Sequence, residues 1–68
     1  MSVQLREMGR VACYAAEFAA QVVRARECLR AARWESSAWL ADAQRREARA
    51  CGRNARGWWQ LLKREVAR

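Results

Sequence analysis

The sequence predicts an all-α protein: an antiparallel helical hairpin that pairs with a second copy to form a homodimeric four-helix bundle. Three observations predict it. Fifteen alanines, three glycines and no proline in 68 residues leave little that breaks a helix. Apolar residues recur at alternating spacings of three and four along two stretches, the period of a packed helix face. A chain this short buries only roughly 60% of the surface its unfolded form exposes, so a lone two-helix unit is short of core.

The first helix is expected over about residues 3–33. Its seam is Met8, Val11, Ala15, Phe18, Val22, Ala25, Leu29 and Ala32. Carried further, that phase brings in Ser36, Arg46 and Arg53, so the helix ends near Trp34. The turn is expected at about 34–37, in Trp-Glu-Ser-Ser. There Ser36 or Ser37 caps the next helix, its hydroxyl accepting from an orphan N–H, and Trp34 staples the turn. The second helix is expected over about 37–67, with a new phase through Ala38, Ala41, Arg45, Ala48, Gly52, Ala55, Trp59, Leu62 and Val66.

Folding about residue 35 opposes Met8 to Leu62, Val11 to Trp59, Val22 to Ala48 and Leu29 to Ala41. It also sets Phe18 against Gly52, a large ring where a side chain is missing. That match accounts for a mid-helix glycine, which otherwise costs about 1 kcal/mol relative to alanine. A rival reading ends the helix near Cys51 and uses Gly52 as a C-cap. The seam keeps its phase through Gly52 and Gly57, which favours one continuous helix. Tyr14 and Val23 beside the first seam, and Leu40, Cys51, Trp58 and Leu61 beside the second, leave a further apolar surface. That surplus is the reason to expect a dimer. The expected core and dimer residues are therefore Met8, Val11, Phe18, Val22, Leu29, Gly52, Trp58, Trp59 and Leu62.

Composition removes most chemistry. The chain has no His, one Lys and three Ser, and no nucleophile has a base beside it. Gly52-Arg-Asn-Ala-Arg-Gly57 lacks the Lys-Ser/Thr of a phosphate loop. Cys13, Cys28 and Cys51 form neither a disulfide framework nor a zinc pattern and read as buried or half-buried thiols, with an inter-subunit disulfide kept open. No catalytic group, metal or cofactor is expected. No segment reads as a signal peptide or a membrane span, so a cytoplasmic protein is expected.

Charge is the strongest signal. Fourteen basic residues, thirteen of them Arg, face seven acids, for a net +7. Within residues 24–56 nine bases face four acids, so an acidic partner is expected. Arg forks carboxylates and phosphates and stacks on aromatics, and with Trp it carries much of the energy of protein interfaces. Trp39 shares a polar stripe with Arg46 and Arg53, and these three, with Arg24, Arg30 and Arg49, are the expected partner-binding residues. Pairs such as Arg24–Glu27 and Asp42–Arg45 are the plainer use of the same charges.

The length, the two-helix layout and the Arg- and Trp-bearing faces resemble small phage-encoded inhibitors of host proteins, the family of quorum-sensing anti-activators and twitching-inhibitory proteins. That resemblance implies a helical dimer in the host cytoplasm that blocks a LuxR-type regulator or the type IV pilus assembly ATPase. The hairpin also resembles ROP-like plasmid copy-number proteins, which clasp RNA loops. Asp42-Ala43-Gln44, Arg46 and Trp58 are spaced similarly to the arginine-rich RNA-binding peptide of lambdoid phage antitermination proteins, although Glu47 and Ala48 interrupt the basic run. Nucleic acid is therefore the alternative partner.

Overall fold

The computed structural model describes residues 3–67, with side-chain surroundings from Gly9 onward. Helix α1 spans Val3–Trp34, helix α2 spans Ala38–Ala67, and the two pack as a hairpin. The result is a rod of 54 × 16 × 11 Å. Met8 lies in α1, but its expected place in the seam falls outside the residues whose side chains are described.

The turn is fixed by capping. Ser37 Oγ accepts from the Leu40 N–H at 3.4 Å, and the Ser37 N–H donates to Glu35 Oε1 at 3.2 Å. The Ser37 carbonyl takes the Ala41 N–H at 2.9 Å, the first bond of α2. Ser37 is thus the N-cap. Helix α2 runs unbroken through Gly52 and Gly57, and neither has a positive φ. The alternative of Gly52 as a C-cap falls, because that cap needs a left-handed residue.

The seam consists of two stripes per helix. Val11, Phe18, Ala25 and Ala32 of α1 and Ala41, Ala48, Ala55 and Leu62 of α2 are seam residues, as the sequence predicts, and all are buried or half-buried. The other stripe differs from expectation by one position in each helix. It is Tyr14, Gln21 and Cys28 against Gln44, Cys51, Trp58 and Glu65, again all shielded. Ala15, Val22 and Leu29, with Arg45, Gly52, Trp59 and Val66, are displaced to a flank. Leu29 is 54% exposed and Trp59 45% exposed, so neither is core. Cys51, which the sequence sets beside the seam as a buried or half-buried thiol, lies within it and is the most buried residue described at 2%.

A physical reason underlies the shift. Each helix carries a wider apolar face than one neighbour can cover, so two adjacent stripes compete for the inside. The charged flank decides between them. With the helices rolled as observed, Arg24 Nη2 reaches Glu47 Oε1 at 3.1 Å and Arg10 Nε reaches Glu65 Oε2 at 3.5 Å, both between α1 and α2. The Arg24–Glu47 pair is exposed and worth at most about 1 kcal/mol, while Glu65 is shielded at the seam edge; together they favour one roll of the helices over another.

The expected fit of Phe18 into Gly52 is also replaced. Phe18 packs on Trp59, and a Cβ added at Gly52 would meet nothing within 4 Å. Side chains lean toward the N-terminus of their own helix. In an antiparallel pair Phe18 therefore leans away from the turn and Trp59 toward it, and they converge although their Cα atoms are not level. Tyr14 and Trp58 make the matching contact in the seam, with ring centroids 5.9 Å apart.

Candidate functional site: a basic, aromatic surface

Three regions of the rod could engage something else. The first surrounds the turn. Trp34 is 81% exposed and Trp39 70% exposed. The expected staple by Trp34 is not formed, because α1 continues through Trp34 and the Glu35 and Ser37 hydrogen bonds hold the turn instead. Close to these tryptophans, Arg26, Arg30 and Arg33 ring the exposed Leu29 on the outer side of α1.

The second region is the outer surface of α2. Arg46, Arg49, Arg53 and Arg56 are all exposed, and no acid occurs between Ala48 and Arg64. Of the six partner-binding residues expected from the sequence, Trp39, Arg30, Arg46, Arg49 and Arg53 lie on these two regions. Arg24 does not: its guanidinium is engaged by Glu47, although it stays exposed. Arg45, on the expected seam, points outward and binds Asp42 Oδ1 at 2.8 Å, as the plainer reading of that pair predicts.

The third region was not anticipated. Val11 and Ala15 of α1 and Trp59, Leu62 and Val66 of α2 line an open groove of about 570 Å³, with Lys63 at its edge. It forms where the displaced flank stripes run side by side. All five of these apolar residues were expected in the seam, and the roll of the helices brings them to its open edge instead. On the opposite side, Glu17, Gln21, Asn54, Trp58 and Leu61 line a more polar cleft. Gln21 Oε1 is shielded there and meets no hydrogen-bond donor among the described residues.

Among the described residues no His, Cys, Asp and Glu cluster could hold a metal ion, and no helix is long and apolar enough to cross a membrane. The thiols are spread along the rod. Cys13 is exposed, against the expectation of a shielded thiol, while Cys28 is half-buried and Cys51 buried. Chemically the surface offers guanidinium groups, indole rings and one apolar groove, which is the equipment of recognition. No protein-family model matches the chain, and neither a curated protein nor a solved structure matches it.

Proposed function

We propose that the chain is a small non-enzymatic regulator that binds a larger protein and occludes an acidic surface on it. One observation carries this reading: Trp34 and Trp39, at 81% and 70% exposure, flank the turn among Arg30, Arg33 and Arg46. Large exposed apolar side chains on so small a chain cost solubility, and Trp with Arg is the pairing that anchors interfaces. The resemblance to phage-encoded inhibitors gives the same mode of action, with a cytoplasmic regulator or ATPase as target.

Cross-linking followed by mass spectrometry, from a lysate containing the target, tests it. A specific protein should be captured by the wild-type chain and lost with Trp39→Ala. Undiminished capture by a Trp34→Ala, Trp39→Ala double variant would remove the turn from the interface. The second reading, RNA or DNA binding, is favoured by the acid-free run of α2. It predicts gel shifts at low salt that vanish steeply as salt rises. A second copy of the chain in a four-helix bundle is the other means of covering the open faces, and sedimentation separates particles of about 8 and 16 kDa.

A further inference from the structure

The groove lies outside the turn surface and has its own chemistry. Its walls are apolar: Val11, Ala15, Leu62 and Val66, with the Trp59 indole between them. Val66 is 67% exposed, so the groove mouth is open to water. The chain as a whole exposes 5468 Å². A compact monomer of its mass exposes about 4,400 Å², leaving an excess of roughly 1,000 Å². One side of a stable protein interface covers about 800 Å². The molecule has an interface's worth of surface to spare.

The rim says what could cover it. Arg49, Arg56 and Lys63 are all exposed and stand seven residues apart on α2, along the edge of the Gly52–Trp59–Val66 stripe. Successive cations in that row are about 10.5 Å apart along the helix. Across the groove α1 presents Ala12 and Ala19, and among the described residues no carboxylate in either row stands level with the groove; the cationic row meets an acid only at Asp42, seven residues before Arg49. Asp42 is itself held by Arg45, and Glu47 and Glu65 are held by Arg24 and Arg10.

We infer that the groove takes an amphipathic helix from another protein, with an apolar stripe seated over Trp59 and Val66 and carboxylates at seven-residue spacing against Arg49, Arg56 and Lys63. This rests on the reading of the chain as a protein-binding module and names a site and a ligand class for it. Apolar anchors at helical spacing are how a groove of this type recognises a helix. A second copy fits worse. An isologous contact through this face sets the cationic row against itself or against Ala12 and Ala19, which among the described residues offers it no carboxylate level with the groove. RNA fits worse too, because apart from Lys63 at the edge the groove is lined by apolar side chains, which a phosphate backbone does not fill.

The test uses the full chain and three fluorescent synthetic helices: Leu-seamed with Glu flanks, the same with Lys flanks, and a scrambled form of the acidic one. Fluorescence anisotropy should show binding of the Glu-flanked helix only, weakening as salt shortens the screening length. Val66→Asp, at an exposed position that the fold does not need, should abolish it. An Arg49→Glu, Arg56→Glu, Lys63→Glu variant should lose roughly tenfold or more for the acidic helix and gain affinity for the Lys-flanked one. Equal binding of the scrambled peptide, or no effect of Val66→Asp, would mean attraction by charge alone and overturn the groove. A 16 kDa particle that Val66→Asp converts to 8 kDa would give the groove to a second copy. No binding of the acidic helix by a monomeric chain also sinks the inference, while capture dependent on Trp39 would leave the wider reading standing. Binding of a structured RNA, with no peptide bound and no protein captured, would remove both.

Discussion

The rings of Phe18 and Trp59 meet with centroids 5.4 Å apart and planes inclined by 42°, on the line where the seam of the hairpin opens into the groove. Phe18 stands in the seam and is half-buried, whereas Trp59 is 45% exposed. The pair therefore ties the stability of the hairpin to the shape of the surface it presents.

Phe18→Ala should cost about 2 kcal/mol in chemical denaturation, less than the 3–5 kcal/mol of a fully buried phenylalanine. A cycle of Phe18→Leu and Trp59→Leu should isolate a coupling of about 0.5–1.5 kcal/mol for the aromatic contact. Coupling near zero would show that the rings only happen to be neighbours.

Gly52→Ala should stabilise the protein by about 0.5–1 kcal/mol, because alanine is the better helix former. The new methyl meets nothing within 4 Å, and the same holds at Gly57. Thermal melting of both variants checks this. A loss at Gly52 alone would show that another chain packs over that position.

Ser37→Ala removes the acceptor for the Leu40 N–H and should cost about 1 kcal/mol. Ser36→Ala should be close to neutral, since Ser37 makes the cap. Denaturation midpoints of the two variants distinguish them.

Thiol labelling should follow burial. Cys13 should react fastest, Cys28 more slowly and Cys51 only when the hairpin opens, given their exposed, half-buried and buried positions. Mass spectrometry over a labelling time course reads the order. Rapid labelling of Cys51 would contradict the observed roll of the helices.

What the sequence made legible follows from what spacing encodes. Two helices, a Ser-capped turn and the shared stripes of Phe18 and Ala25 with Ala48 and Ala55 were all readable, since each rests on local chemistry or on an unambiguous period. The roll of the helices was not. Val22 and Gln21 are neighbours on the same face, and apolar character alone chose Val22. The structure shields both and centres the seam nearer Gln21, because cross-helix pairs such as Arg24–Glu47 depend on the partner helix and leave no periodic trace. The same limit hid the groove. Its residues were recognised as apolar, but a surface made by two helices side by side has no spacing of its own within either one.

The unbroken course of α2 has a mechanical consequence. Trp39 and Trp59 are fixed on one helix, about 30 Å apart at 1.5 Å per residue. Glycines that might have made a hinge are instead locked into the helix, so the two ends cannot fold toward each other. Twenty residues at 3.6 per turn also set the two indoles roughly 160° apart round the helix axis, so one rigid body cannot rest on both at once. The turn and the groove are therefore separate footholds held at a fixed distance, and a change at one end is not relayed to the other by bending.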